Sequence, residues 1–287
     1  MASIGKTQEL KVVKKLDFGF YLDAGELGEV LLPKRYAPRD LAVGDTLEVF
    51  IFLDSEGLPV ATTQKPKVEV GQFAYLKVLA VTDVGAFLDW GLDKDVLVPF
   101  GEQHRPMEVG RSYLVYIYIG KADGRITASS KIDKFIDDDK PHHFKPRQAV
   151  DLIIANSTDL GFKAIINHSH WGVLYKDEVF QRLSFGQSIK GYIRRIREDG
   201  KIDLTLQGGE EFRDKNEKAV LDYLRQQNGF APIHDKTDPQ QIAKLFGISK
   251  GAFKKAISSL YKKRIITIDK DGIRLVESGT ADTDSDD

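Results

Sequence analysis

One pattern occurs three times along this chain, and it limits the fold more than any other feature. The stretch VVKKLDFGFYLDAGELGEVLLP (12–33) runs through an apolar strand, an aspartate, an apolar residue, a glycine, an aromatic and a closing VLLP. VLAVTDVGAFLDWGLDKDVLVP (78–99) repeats that order. Each continues through a VG turn into a long strand pair, LAVGDTLEVFIFLDSEGLPVATTQK (41–65) and MEVGRSYLVYIYIGKADGRITASSK (107–131). A weaker third copy, LIIANSTDLGFKAIINHSHWGVLY (152–175), is followed by LSFGQSIKGYIRRIREDGKIDLTLQ (183–207). The marker glycines Gly19, Gly85 and Gly161 lie 66 and 76 residues apart. A fixed period of this kind means one small structural unit used repeatedly.

Each copy reads as five short strands; in the first they fall near 8–15, 17–24, 28–32, 46–54 and 57–63. Val, Ile, Leu, Phe and Tyr dominate them, with Gly, Asp or Pro between. DSEG, KADG and REDG make hairpin turns between the last two strands of each copy. Five antiparallel strands in 60 to 70 residues fit a small closed barrel, which leaves no edge strand. A sandwich shared among copies is the rival, but each copy holds a complete strand set. The chain thus divides into barrels at 1–66, 67–133 and 146–209, a linker at 134–145, a different unit at 210–276 and a tail at 277–287.

The first copy also carries a local anomaly. Phe18, Phe20 and Tyr21 surround Gly19, whereas a core strand needs only alternate residues apolar. Glycine weakens a strand unless a bulge or a close backbone approach is required. An aromatic face kept open for a flat-ringed ligand accounts for both.

The elements DFGFYL, EVLLP, VGD and EVFIFLDSEG, in that order, resemble the S-one domain, the RNA-binding OB-fold repeat named for the largest protein of the small ribosomal subunit. Three such repeats followed by a basic helical unit resemble the bacterial virulence factor B (CvfB-like) family over about residues 1–276. The resemblance implies a multidomain, mainly β chain: three tandem five-stranded OB-fold barrels and an α+β winged helix. It also implies a non-catalytic protein that binds single-stranded RNA with little sequence preference and regulates gene expression post-transcriptionally, virulence genes included.

In that family an aromatic stands just before the strand-two glycine and another two residues after it. Those positions are Phe18 and Tyr21 here, with Phe20 turned inward as core. Each base stacked on such a ring is worth roughly 1–3 kcal/mol. The family's strand-three aromatic is replaced by Pro33. The second copy has Val84 and Phe87, with Pro99 at the strand-three place and Trp90 near the end of strand two. The third has Leu160 and Lys163 instead, but places Tyr175 on strand three with Trp171 nearby. Span 144–208 carries a charge of +3, so the third repeat is expected to bind through charge. The expected stacking residues are Phe18, Tyr21, Phe87, Trp171 and Tyr175. The expected phosphate contacts on the barrels are Lys34, Arg35, Arg125, Lys163, Arg194, Arg195, Arg197 and Lys201. Aromatics in small barrels are also commonly core, and arginines commonly form a solvated strand face.

Residues 210–276 change texture. Phe212, Ala219, Val220 and Leu224 recur at near-helical spacing. Asp238-Pro239 is an N-cap with proline at the first helical position, and Ser249 can cap the next helix, with Gly247 in the turn between. Phe253, Ile257 and Leu260 form a stripe for burial, while Lys250, Lys254 and Lys255 fall elsewhere. RIITIDKDGIRLV turns back at Asp271-Gly272. Three helices and a hairpin make a winged helix. Its last helix offers Lys and Ser rather than Arg, Asn or Gln, which suits phosphate contact more than base reading. Residues 211–276 carry +6, and the eleven residues after Val276 carry −5 and are expected to be disordered. The whole-chain charge of −1 hides that separation.

With no cysteine, disulfides, thiolate catalysis and cysteine zinc sites are excluded. The sequence has no long apolar run and no signal pattern, so a cytoplasmic protein without membrane contact is expected. His142 and His143 near Asp137, Asp138 and Asp139, and the pair His168 and His170, lack the partners of a regular metal site. No phosphate-binding loop, nucleophile elbow or HExxH motif occurs, so neither cofactor nor enzymatic activity is expected. Three functions remain: a single-stranded RNA binder, a DNA-binding transcription regulator acting through the winged helix, and a protein-interaction adaptor.

Overall fold

The computed structural model describes residues 2–138 and 141–276. The expected disorder of the tail, and Asp139 of the first histidine–aspartate cluster, lie outside the described residues. Three closed barrels are present. The first is built from β1 (Thr7–Leu16), β2 (Gly19–Asp23), β3 (Glu29–Pro33), β4 (Thr46–Leu53) and β5 (Pro59–Thr62), in the order β1-β2-β3-β5-β4. The second contains β6 (Phe73–Val81), β7 (Gly85–Asp89), β8 (Val96–Pro99), β9 (Ser112–Ile119) and β10 (Ile126–Ser129). The third contains β11 (Ala149–Ser157), β12 (Gly161–Ile166), β13 (His170–Tyr175), β14 (Ser188–Ile196) and β15 (Ile202–Thr205). Each barrel closes by a short parallel pairing between its third and fifth strands, such as Leu31 with Val60.

The marker glycines are explained by the close approach of the second strand to the third. Gly19, Gly85 and Gly161 each open the second strand, opposite the end of the third. A Cβ there would collide with the carbonyl oxygens of Leu32, Val98 and Leu174 respectively. Gly85 and Gly161 also sit at φ +147° and +154°, which L side chains rarely adopt.

The remaining residues form α1 (Gly209–Gln226), β16 (Phe230–Ala231), α2 (Pro239–Phe246), α3 (Lys250–Lys262), β17 (Ile266–Ile268) and β18 (Ile273–Leu275). Asp238 Oδ1 accepts from Gln240 N at 2.6 Å and starts α2; Gly247 ends it in the left-handed region. Ser249 starts α3 by accepting from Ala252 N. Phe253, Ile257 and Leu260 are buried with Val220, Leu224, Ile242 and Ile273 in one core. The side chain of Phe212 is not among those described. The short β16, pairing with β18, is an element the hydrophobic pattern did not signal; two residues are too few for one.

By internal contacts the chain divides into two compact units, Met1–Lys140 with Asn167–His170, and Pro141–Ile166 with Trp171–Asp287. In the first, Trp90 is buried edge-on to Phe50, ring centroids 5.6 Å apart, and donates from Nε1 to Lys94 O. Tyr36 and Gln64 of the first repeat donate to the two carboxylate oxygens of Asp93 in the second, both at 2.7 Å. Phe135 stacks on Tyr116 at 4.2 Å, so the beginning of the expected linker is packed against β9.

Candidate nucleic-acid interface

The first barrel presents an aromatic pair. Phe18, in the turn before β2, is 57% exposed and meets the half-buried Tyr21 edge-on, with centroids 6.5 Å apart. Phe20 between them is buried, because alternation along β2 turns it to the barrel core. Lys14, opposite Tyr21 on β1, holds its ammonium 5.7 Å from that ring. Lys34 is exposed, and its backbone N–H donates to Phe18 O, so a cation stands next to the ring. Arg35 is exposed and lies over the ring of Tyr36 at 4.6 Å. In the second barrel Phe87 is half-buried and Val84 exposed at the matching places. Arg125 is exposed but donates from Nη2 to Ser55 O at 2.7 Å, tying the second barrel's hairpin to the first barrel.

The third barrel differs from what its sequence led one to expect. Lys163 and Trp171 of its second and third strands are brought together, but the cations of the barrel, most of them on β14 and the hairpin after it, are largely spent on internal partners. Lys163 places its ammonium 3.8 Å from the Trp171 ring centroid, covering a face on which a base would stack. Arg195 and Arg197 both bind Asp203, which is 0% exposed. Burial pushes the Asp203 carboxyl up, but the hydrogen bonds from Arg197 and Arg195 outweigh this and hold it below the usual carboxylate range. Arg197 also donates to the Tyr175 hydroxyl, and Tyr175 OH in turn reaches Asp203 Oδ1 at 3.4 Å. Lys201 pairs with Asp199 at 3.0 Å. Arg194 pairs with Glu178. The expected run of free arginines is therefore mostly an ion-pair network around one buried aspartate.

A larger basic site lies within the second unit, between β14, β15 and α3. It is a cleft of about 1070 Å³. Arg147, Arg194, Arg213, Lys254, Lys255 and Lys262 line it. Glu217, the one acid among the described lining residues, is paired with Lys263 at 2.6 Å. Tyr192 supplies a ring: it is half-buried under Gly208, where a Cβ would stand 2.5 Å from ring atoms. Lys250 begins α3 and is half-buried. Lys254 has one weak partner, Asp235 at 3.7 Å, and Lys255 is exposed. Of these groups the sequence reading had Arg194, Lys250, Lys254 and Lys255. Arg147 and Lys262 sit in ordinary polar surroundings, and Tyr192 alternates with buried neighbours as any strand residue does, so no local signal marked them.

Among the described residues no group of three or more His, Asp or Glu is placed to hold a metal ion. His168 Nδ1 accepts the backbone N–H of Phe73, and His170 lies against Ser169 Oγ at 2.9 Å. No helix among the described residues is long and apolar enough to cross a membrane.

Family models match the first two barrels and the helical unit. The S1 domain model matches residues 4–64 and 70–131, and the CvfB-like winged helix domain model matches residues 218–275. The chain thus carries two S1 domains and a CvfB-like winged helix domain. Conserved virulence factor B of Staphylococcus epidermidis is 27% identical over 98% of this chain and 97% of its own length. The same-named protein of Staphylococcus aureus gives the same figures. YitL of Bacillus subtilis is 28% identical over 90% of this chain and 89% of its own. A crystal structure of a multidomain protein with nucleic acid binding domains from Streptococcus pneumoniae aligns over 95% of this chain and 98% of its own, with 24% identity and a TM-score of 0.39. The two S1 domains and the winged helix domain indicate that the chain binds nucleic acid.

Proposed function

We propose that this protein is a non-catalytic binder of single-stranded RNA with little sequence preference, acting in post-transcriptional control of gene expression, virulence genes among its targets. The observation that carries the reading is the cleft between the third barrel and α3, lined by one ring and six cations, of which Arg194 is paired with Glu178 and Lys254 weakly with Asp235. Lysine and arginine hold phosphates without reading sequence, and a ring accepts any base. The aromatic pair Phe18 and Tyr21, with Lys14 and Lys34 beside it, gives the first barrel a stacking face.

Single strands are favoured over duplex DNA by the position of α3. A winged helix reads duplex DNA by inserting its last helix into the major groove. Here Lys254, Lys255, Ser258 and Lys262 of that helix face a cleft whose other wall is the third barrel, which obstructs such insertion. The protein-adaptor reading has no comparable observation behind it.

The test is equilibrium binding of a short polyuridine RNA, the matching single-stranded DNA and a DNA duplex across a salt series. RNA is expected to bind tightest. Alanine at Arg213, Lys255 or Lys262 is expected to lower the log–log salt slope by about 0.7 each. Tighter binding of the duplex would overturn the proposal in favour of a transcription regulator, and no binding at low salt would favour the adaptor.

A further inference from the structure

We propose that the acidic segment following Val276 docks in the basic cleft and competes with nucleic acid for it; the competition, though not the docking, rests on the function proposed above. Three observations place it there. The first is where the segment starts. The backbone N–H of Val276 donates to Ile265 O at 3.0 Å, and Ile265 N to Leu260 O. The chain therefore leaves the fold beside the C-terminal end of α3, whose last residue, Lys262, lines the cleft.

The second is reach. Lys262 and Lys254 are eight residues apart on one helix, about 12 Å. The eleven residues 277–287 span up to about 36 Å when extended. They pass the whole α3 wall with length to spare.

The third is charge. Glu277, Asp282, Asp284, Asp286 and Asp287 are accompanied by no cation, and the residues between them are only Ser, Gly, Thr and Ala. In an extended chain Asp282, Asp284 and Asp286 fall on one side, a row of anions along an edge such as a nucleic-acid backbone presents. Of the six cations of the cleft, Arg194 is held by Glu178 and Lys254 weakly by Asp235, and among the described lining residues the one acid, Glu217, is already paired with Lys263, which leaves Arg147, Arg213, Lys255 and Lys262 to face the segment. Tethering holds the segment at a high effective concentration, so weak individual contacts suffice. The resulting device filters ligands: a short or weakly held anion loses to the segment, whereas an RNA long enough to engage the other basic and aromatic surfaces displaces it.

The chain has no cysteine, so Ser285→Cys gives a single attachment site for a nitroxide and keeps all five carboxylates. On the full chain without nucleic acid, at low salt, the nitroxide is expected to erase the amide signals of Lys254, Lys255, Ser258 and Lys262. High salt, or Asp282→Asn with Asp284→Asn and Asp286→Asn, is expected to restore them. Broadening confined to the neighbours of Val276 would overturn the docking. Separately, a chain stopped after Val276 is expected to bind short polyuridine about tenfold more tightly at low salt, with the difference vanishing at high salt. Equal affinities would overturn the competition. Docking seen by the nitroxide in a protein that binds no RNA would leave the contact standing and remove the proposed function instead.

Discussion

The Ser249 hydroxyl donates to Gln207 Oε1 at 2.8 Å while it accepts from Ala252 N at 3.1 Å. One atom thus caps α3 and fastens that helix to the segment leaving β15. Gln207 is held in turn by donating from Nε2 to Glu178 O. The basic cleft owes its shape to this junction, because both residues line it. Gln207→Ala is expected to cost about 1 kcal/mol and to loosen the cleft, weakening RNA binding without unfolding either domain. Ser249→Ala removes the cap as well and is expected to cost about 1 kcal/mol more. A double-mutant cycle by chemical denaturation checks the link: non-additive costs are expected, and strict additivity would show the two residues to be uncoupled.

The ring of Phe18 is the most exposed among the described aromatics, which makes it a clean probe. Phe18→Ala and Tyr21→Ala are each expected to weaken single-stranded RNA binding by 1–3 kcal/mol, roughly 5- to 150-fold, with little change in salt slope. The thermal midpoint of Phe18→Ala is expected to stay within a few degrees of the parent, since that ring buries little area. A collapse in stability with unchanged affinity would assign both rings to the core.

Asp203 gives the third barrel an acid-sensitive joint. Its folded-state pKa lies below its unfolded value, chiefly through Arg197 and Arg195 against the opposing effect of burial. A carboxyl of this kind stabilises the fold above its unfolded pKa of about 3.9 and loses that contribution as pH falls toward the lower folded value. Unfolding followed between about pH 5 and pH 2 is expected to show stability falling. Asp203→Asn is expected to flatten that dependence and to cost about 2 kcal/mol near neutrality. The cost stays modest because the side chain of Arg195, freed of its partner, is already 66% exposed to water.

Gly85→Val tests the close approach of the second strand to the third. The new side chain would strike Val98 O at a φ of +147°, so the second barrel is expected to lose about 3 kcal/mol or more. Gly44→Ala is a control: φ is also positive there, at +100°, but nothing lies within 4 Å. It is expected to cost about 1 kcal/mol, the strain of the backbone alone. Thermal unfolding separates the two, and similar losses would mean that the close approach adds nothing.

Much of this fold was legible because repetition and alternation are local properties. The spacing of Gly19, Gly85 and Gly161, the alternation around Phe20 and Leu22, and the caps at Asp238 and Ser249 each depend on a few neighbouring residues, so the sequence carries them openly. The partition of charge in the third barrel was not legible. Arg194, Arg195 and Arg197 look alike as a run, but Asp203 reaches Arg195 across a strand pair and Arg197 around a hairpin, which converts a binding patch into a structural network. The cleft was hidden for the same reason: Arg147, Tyr192, Arg213 and Lys262 come from separate elements, and only packing the third barrel beside α3 assembles them.

What the sequence by itself determined is the set of folding units and the face each strand or helix turns inward, since both follow from short-range periodicity and steric limits on the backbone. What only the tertiary structure decided is which charges stay available, because an ion pair depends on distances across space between residues that no local pattern relates.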